Sequence, residues 1–366
     1  MDSITQAVLG AGIAGAVMGR SQGRRALLYG AILGTLPDLD VLATYPDPVS
    51  TMTFHRGYSH SVFVLTGLAT LITATARRFF PSPAYSSGRL FLAIWLILIT
   101  HPILDSFTSY GTQLFWPLAR TPESWSSIFI IDPLYTLPML VAVLCAAATG
   151  PGPRAVRALR WTVGFGCAYL AFSLVGKSIA ETRVRNVLAD KNIAVRAVFS
   201  APMPLNTLLW RVVVKTPDDG YVEAVTSLLD NTPPDLLEQK LHTGLAAELA
   251  NQSLHQRLRW FTDDWLRYDV IGDALVVTDL RMGMPGHYTF RFKMAERRGQ
   301  GQNAWCAVQP QTWPGERGGQ TELWAVLRRA IDPGAPLPLA YWAERNDDPR
   351  SLAPAVRTPA DCNIAK

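Results

Sequence analysis

Carboxylates and imidazoles recur in or beside the apolar runs of the first 135 residues. Ionisable side chains next to hydrocarbon-like segments are costly and usually functional. Mixed imidazole and carboxylate groups, without thiolates, are ligands for zinc, manganese or non-haem iron. The pattern therefore predicts a shared site for one or two divalent cations, with zinc favoured. The residues are Asp2, Asp38, Asp40, His55, His60, His101, Asp105 and Asp132.

Spacing groups these side chains further. His101 and Asp105 are four residues apart in "ITHPILDSFTSYG", so a helix would place them on one face. Asp38 and Asp40 follow Pro37 two residues apart, and an extended turn would point both carboxylates the same way. These spacings predict two pairs of candidate ligands.

The stretch "HRGYSHS" precedes the third apolar run. His55 and His60 are five residues apart, which fits one helical face poorly. This spacing predicts that His55 lies in a loop and that His60 begins the following helix. Arg56 between them is a candidate for balancing negative charge in a reaction.

Each of these motifs also has a structural interpretation. Residues 36–40, "LPDLD", could form an ordinary turn, and His101 with Asp105 could be a buried hydrogen-bonded pair. Ser59 could cap the helix that follows "HRGYSHS". A shared site is favoured over these alternatives because independent structural pairs have no reason to converge at one depth.

Six apolar runs must position these residues. A helix needs about 20 apolar residues to cross a bilayer, so the shorter runs are candidates for re-entrant segments, which are tolerated where protein covers the backbone. The sequence predicts a membrane α-helical bundle with four to six apolar helices. The runs are approximately 4–19, 26–46, 61–76, 90–109, 131–149 and 161–178.

Basic residues predict how the bundle is oriented. Residues 1–180 hold 12 Lys and Arg against 7 Asp and Glu, whereas the remainder is balanced at 22 of each. Placing the basic clusters in the cytoplasm puts both the N-terminus and the C-terminal half on the outer side. The candidate ligands then all fall at the outer ends of their runs. The basic residues are Arg20, Arg24 and Arg25, then Arg77 and Arg78, then Arg154, Arg157 and Arg160.

The second half of the chain predicts an α+β extramembrane domain. Alternating stretches at 208–215, 221–230, 272–283 and 287–296 indicate strands, and residues 235–252 indicate an amphipathic helix. Asp279 and Arg281 are expected to form a structural ion pair. We therefore divide the chain into a helical membrane domain (1–179), an α+β domain (180–345) and a loose tail (346–366).

Four N-terminal motifs also resemble a known family. "MDSITQAVLGAGIAG", "LPDLD", "HRGYSHS" and "HPILDSFTSYGTQLFWPL" are similar, in order and approximate spacing, to the YdjM-like membrane-bound metal-dependent hydrolases, also labelled LexA-binding inner-membrane hydrolases. The resemblance covers nearly the whole chain. It implies a bacterial inner-membrane location and hydrolase activity.

The resemblance also implies a set of metal ligands. In that family the first motif usually ends in His, as in MDxxTH, and Gln6 stands there in this chain. Glutamine is a weaker ligand, so one metal position would be vacant, altered or completed by substrate. The implied ligands are Asp2, Asp38, Asp40, His55, His60, His101 and Asp105.

The function predicted from these observations is metal-dependent hydrolysis at the outer membrane–water boundary. A lipid or lipid-linked phosphoester is favoured over an amide, with Arg56, His60 and Asp105 as catalytic residues. No nucleic-acid partner is expected, because the polar domain faces away from DNA on this topology. The alternatives are a metal-stapled scaffold whose outer domain binds a partner and an ion or proton pathway.

Overall fold

The computed structural model describes residues 1–297, 305–315 and 318–345. The predicted loose tail lies outside the described residues. The chain divides into two compact units, and the division falls inside a long helix, between Val175 and Gly176. The first unit comprises residues 1–43, 55–175 and 204–207, and the second comprises the remainder, including 44–54.

The first unit is helical, as the apolar runs predict. Among the described residues, three helices are long and apolar enough to cross a membrane, namely α4 (Val62–Phe79), α5 (Ser87–Ser106) and α7 (Pro153–Asp190). The predicted number of four to six crossings stays a prediction. The helices are α1 (Ser3–Gln22), α2 (Arg24–Thr35), α4 (Val62–Phe79), α5 (Ser87–Ser106), α6 (Pro133–Thr149) and α7 (Pro153–Asp190), with the short α3 (Pro48–Phe54) assigned to the second unit.

Glycines allow α1 and α2 to pack closely. A methyl group added at Gly30 would lie 2.5 Å from the Gly10 carbonyl oxygen and 2.5 Å from Ala14 Cβ, and one at Gly34 would lie 2.5 Å from the Gln6 carbonyl oxygen. Small residues let helix backbones approach in this way in membrane proteins. The close approach fixes the end of α2, from which the aspartate turn begins.

A single methyl group should therefore loosen this helix pair. We expect Gly30→Ala to destabilise the detergent-solubilised protein by about 1–3 kcal/mol, the usual cost of overpacking. Thermal unfolding measures the effect. Gly67→Ala is the matched control, because nothing lies within 4 Å of its added Cβ and alanine is the better helix former. Equal melting temperatures for the two variants would contradict the packing account.

The second unit contains two four-stranded antiparallel sheets, in the orders β1-β2-β3-β4 and β5-β6-β7-β8. This agrees with the predicted α+β class. The strands are β1 (Ala197–Pro202), β2 (Leu209–Lys215), β3 (Gly220–Ser227), β4 (Leu236–Lys240), β5 (Leu266–Ile271), β6 (Ala274–Asp279), β7 (Arg291–Arg297) and β8 (Trp305–Thr312). The helices are α8 (Ser253–Thr262), α9 (Gln320–Ile331) and α10 (Leu339–Arg345).

The helix predicted over 235–252 is wrong. Leu236–Lys240 forms β4 and pairs with the free edge of β3, and Thr243–Leu249 forms a 3-10 helix. His242 between them has a left-handed backbone, with φ of 55°, which ends any continuous helix. Pairing with a neighbouring strand outweighs the helical pattern of the segment.

The second unit contains buried ion pairs. Arg211 on β2 makes a bidentate contact with Glu223 on β3, at 2.7 and 2.9 Å, and both side chains are buried. Tyr288 donates a hydrogen bond to the same carboxylate. The predicted pair of Asp279 and Arg281 is confirmed, with 2.9 Å between Arg281 Nη2 and Asp279 Oδ2.

Candidate metal centre

Four ionisable side chains from three parts of the first unit meet at one point. His101 and Asp105 lie on α5, as their spacing predicts. Asp38 lies in the 3-10 helix Leu36–Leu42, directly after α2, and His60 ends the 3-10 helix Tyr58–His60 before α4. One ligand atom from each falls within 4.8 Å of all the others.

Five of the six distances between these atoms are close to those of a tetrahedral site. His60 Nε2 lies 3.2 Å from both His101 Nε2 and Asp105 Oδ2, and 3.5 Å from Asp38 Oδ1. His101 Nε2 lies 3.3 Å from Asp38 Oδ1 and 3.6 Å from Asp105 Oδ2. Zinc with N and O ligands at about 2.0–2.2 Å has ligand–ligand separations of about 3.3–3.6 Å in a tetrahedron. These five distances, with all four atoms within 4.8 Å of one another, suit four ligands of one ion.

Hydrogen bonds at Nδ1 of His101 and His60 orient both rings so that Nε2 faces the other ligand atoms. His101 Nδ1 lies 2.6 Å from the Gly34 carbonyl oxygen, which can only accept, so Nδ1 donates and Nε2 is the nitrogen that faces His60 and Asp38. His60 Nδ1 lies 3.0 Å from Ser59 Oγ. A carbonyl or hydroxyl partner on the outer nitrogen is the usual support of a metal-binding histidine.

Asp105 directs one carboxylate oxygen to the same point. Its Oδ1 accepts a hydrogen bond from Gln6 Nε2 at 3.1 Å and another from the amino group of Met1. Its Oδ2 is buried and accepts no hydrogen bond from the described residues. Its close neighbours are Arg56 Nε and His60 Nε2, each at 3.2 Å, so this buried carboxylate oxygen lies where a cation would also be stabilised.

The electrostatics of the turn residues also favour positive charge at this point. Burial alone would raise the pKa of Asp38, but its contacts with His101 and His60 outweigh burial and hold that pKa well below its usual value. Burial alone would lower the pKa of His60, yet Asp105 and Asp38 raise it. A bound cation would supply the charge that this environment stabilises.

The guanidinium of Arg56 also lies against Asp105. This group is buried, with Nε 3.2 Å from Asp105 Oδ2, and Nη1 donates to Thr108 Oγ1 at 3.1 Å. The group also lies over the Tyr110 ring, 4.9 Å from its centroid. The backbone of Arg56 has a left-handed φ of 60°, a conformation uncommon for non-glycine residues. The surrounding contacts therefore hold this side chain in one place.

Asp40 organises the loop rather than joining the four-ligand cluster. Its Oδ1 lies 2.8 Å from His55 Nδ1, and its Oδ2 accepts hydrogen bonds from the Arg56 backbone N–H at 2.9 Å and Ser59 Oγ at 2.7 Å. Asp38, Asp40 and His55 form a second group with metal-ligand spacing. His55 lies in a loop, as predicted.

Two local predictions need correction. The expected extended turn at Asp38 and Asp40 is a 3-10 helix, in which side chains two residues apart point in different directions. Asp38 therefore contacts His60 and His101, whereas Asp40 contacts residues 55–59. His60 does not begin the next helix, because Ser61 is the residue that caps α4.

Two of the sequence-identified acids lie elsewhere in the first unit. Asp2 caps α1 by accepting hydrogen bonds from the Ile4 and Thr5 backbones, at 3.1 and 3.0 Å. Asp132 caps α6 and accepts a hydrogen bond from Tyr169 at 2.8 Å. Neither belongs to the two groups with metal-ligand spacing.

The sequence did not reveal the supporting residues. The Gly34 carbonyl carries no sequence signal, because any residue supplies a backbone oxygen. The Gln6 amide bonds both the Asp105 carboxylate and the His101 carbonyl oxygen, the latter at 3.2 Å. Its position in the first motif was the signal that could have assigned it this supporting role.

Comparison with known proteins identifies a family for the N-terminal half of the chain. The family described as YdjM inner membrane protein matches residues 1–180. The chain is also similar to an uncharacterized protein, YfhP, of Bacillus subtilis (strain 168), at 24% identity over 315 residues, which is 79% of this chain and 89% of that protein. No solved structure matches the chain. Residues 1–180 therefore belong to the YdjM inner membrane protein family.

Proposed function

We propose that the protein is a membrane-embedded metal-dependent hydrolase of the bacterial inner membrane. Asp38, His60, His101 and Asp105 would hold one divalent cation, with zinc favoured over manganese or iron by the donor set. The observation that carries this proposal is that five of the six separations among the four ligand atoms are 3.2–3.6 Å, close to those of a tetrahedron. The chemistry that such a cation supplies when bound is Lewis-acid activation of water near neutral pH.

The chain's own residues would complete the reaction site. The buried guanidinium of Arg56 is positioned to stabilise negative charge that develops on phosphoryl oxygens. Asp40 holds His55 and Ser59, and Ser59 orients the imidazole of His60. His55 is the most exposed imidazole of the two groups, so it is the residue that we assign to contact with substrate or with a second cation.

Apolar side chains beside the site support an amphiphilic substrate. Leu39 lies between the two aspartates and is 54% exposed, and Val41 and Leu42 just beyond are 69% and 74% exposed. Tyr58, two residues before His60, is 58% exposed. Exposed apolar groups next to a polar site suit a substrate with a phosphate headgroup and a lipid tail. We therefore propose a lipid or lipid-linked phosphoester.

The proposed orientation places the site and the second unit on the periplasmic side. The positive-inside distribution of arginines supports this side, and the YdjM inner membrane family fits this membrane. Labelling engineered cysteines from outside intact cells would test it. A cysteine at exposed Lys240 should react with an impermeant reagent, and one at exposed Arg20 should not.

The direct test of the proposed activity is phosphate release from phospholipid vesicles or lipid-linked phosphates. Zinc-loaded wild-type protein should release phosphate or phosphorylated headgroup, and the His101→Ala/Asp105→Ala double variant should not. A soluble phosphomonoester is the comparison substrate that shows whether the lipid part is required. No turnover of any phosphoester by metal-loaded protein would contradict the hydrolase proposal.

Variants of Arg56 would distinguish a loss of catalysis from a loss of metal binding. We expect Arg56→Gln to keep stoichiometric metal but to lower turnover by about 10²–10³-fold, the usual cost of losing a group that stabilises developing charge. Arg56→Lys should retain more activity because it keeps the positive charge. Turnover and metal content would be measured on the same preparations. Loss of metal in Arg56→Gln would show that Arg56 supports the ligands instead.

A metal-stapled scaffold is the second candidate, and the ligand count favours it. Four protein ligands complete a tetrahedron, as in structural zinc sites, whereas catalytic sites keep an open position. Asp38 is the most exposed ligand, at 18%, and it is the one that substrate could displace. Cobalt substitution distinguishes the two: added phosphate should change the visible spectrum of a catalytic site and leave that of a closed site unchanged.

A further inference from the structure

One segment of the first half of the sequence is built into the second unit. Residues 44–54 belong to that unit, whereas residues 1–43 and 55–175 belong to the first. The segment is short and lies between two residues of the candidate site. It begins four residues after Asp40 and ends at Phe54, immediately before His55.

Arg257 on α8 binds the last two residues of this segment. Its Nε donates to Thr53 Oγ1 at 2.5 Å, and its Nη2 donates to the Thr53 carbonyl oxygen at 3.2 Å. The guanidinium also lies 3.7 Å from the centroid of the Phe54 ring, a close cation–π contact. Arg257 thus contacts the backbone, hydroxyl and aromatic ring of two consecutive residues.

Further contacts hold the rest of the segment. Gln309 on β8 donates to the Pro46 carbonyl oxygen at 2.9 Å. The Tyr45 and Phe54 rings stack with centroids 5.0 Å apart. Asp47 accepts hydrogen bonds from the backbone and side chain of Ser50, at 2.7 and 2.6 Å. With Val49, Met52 and Thr53 buried, the segment is a packed element of the second unit.

Asp40 connects the chain on the two sides of this segment. It precedes the segment, and it binds the His55 ring and the Arg56 N–H that follow it. The same carboxylate accepts from Ser59, which contacts His60. A displacement of residues 53–54 would therefore be transmitted over a few covalent bonds to the loop that carries His60.

We propose that Arg257 is a positioning residue for the metal centre. It fixes Thr53 and Phe54, and through them it sets the conformation of residues 55–60, including the support of the His60 ligand by Ser59. The proposal rests on the proposed metal site for its effect on affinity, but its effect on the loop can be measured without metal.

The test compares Arg257→Ala with Arg259→Ala in the full-length detergent-solubilised protein. Arg259 lies on the same helix and pairs with exposed Asp264 at 2.6 Å, so it is the matched control. Amide hydrogen exchange over residues 48–61 is measured without metal, and the dissociation constant for zinc is measured separately. We expect Arg257→Ala alone to accelerate exchange over 55–61 and to weaken zinc binding about tenfold, the lower range for losing a supporting contact.

Two results would overturn the proposal. Faster exchange confined to 48–54, with unchanged exchange over 55–61 and unchanged zinc affinity, would show that Arg257 only anchors α3. Equal effects from Arg259→Ala would show a general loss of helix stability. Absence of zinc binding by wild type would contradict the proposed function instead, and the exchange measurement would still decide the role of Arg257.

A milder pair of variants keeps the proposal testable if Arg257→Ala does not fold. Thr53→Val removes only the hydroxyl contacted by Arg257 Nε, and Gln309→Ala removes only the bond to Pro46. Both should accelerate exchange over 55–61 to a smaller extent. No change over 55–61 in either variant would count against transmission from the segment to the loop.

Discussion

Replacing His60 with alanine is expected to weaken zinc binding by at least about a hundredfold. A four-ligand zinc site has an apparent binding free energy of about 10–16 kcal/mol, so one ligand accounts for about 3 kcal/mol, and every 1.4 kcal/mol is tenfold in affinity. The imidazole is fully buried and its Nε2 lies among the three other ligand atoms. Competition with a chromophoric chelator would measure the dissociation constant.

His242→Ala is the control for nonspecific imidazole binding. His242 is largely exposed and lies in the second unit, outside the groups with metal-ligand spacing. It should leave both stoichiometry and affinity unchanged. Unchanged affinity in His60→Ala, or equal losses in the two variants, would contradict the assignment of His60 as a ligand.

Glu223→Ala is expected to destabilise the second unit by about 3–5 kcal/mol, because removing one partner of a buried ion pair leaves the other charge uncompensated. Arg211 would lose both oxygens of its bidentate contact, and Tyr288 would lose its acceptor. Amide hydrogen exchange in β2 and β3 would measure the free energy of opening these strands.

The exposed pair of Arg259 and Asp264 provides the comparison. Surface ion pairs contribute about 0–1 kcal/mol, so Arg259→Ala should change strand protection little. Unchanged protection of β2 and β3 in Glu223→Ala would show that the buried pair is not a major source of stability.

Much of the metal centre could be predicted because its main signals are local. The i, i+4 spacing of His101 and Asp105 is a direct consequence of helix geometry, and α5 places both side chains on one face. The convergence of His60 on that pair followed from the proposed topology of the apolar runs. Those predictions needed only periodicity and the cost of ionisable groups beside hydrocarbon.

The different contacts of Asp38 and Asp40 could not be predicted. It depends on whether residues 36–42 are extended or form a 3-10 helix, and Pro37 is compatible with both. The observed 3-10 helix directs Asp38 to the imidazoles and Asp40 to the loop. Likewise, the sequence could not show that Asp2 would be used as the cap of α1.

Long-range packing accounts for the remaining differences. Residues 236–240 have a helical hydrophobic pattern but become a strand because β3 offers an unpaired edge. The assignment of residues 44–54 to the second unit depends on Arg257 and Gln309, more than 200 residues later in the chain. A local pattern carries no information about such partners.

The most direct test of the metal centre is the metal content of the detergent-purified protein, measured by elemental mass spectrometry. Wild type would be compared with the His101→Ala/Asp105→Ala double variant after both are exposed to zinc at neutral pH and washed. If these side chains form a metal centre, wild type should hold stoichiometric zinc and the double variant should have lost it. Wild-type protein without bound metal, or equal metal in both, would contradict the proposal that these four side chains form a metal centre.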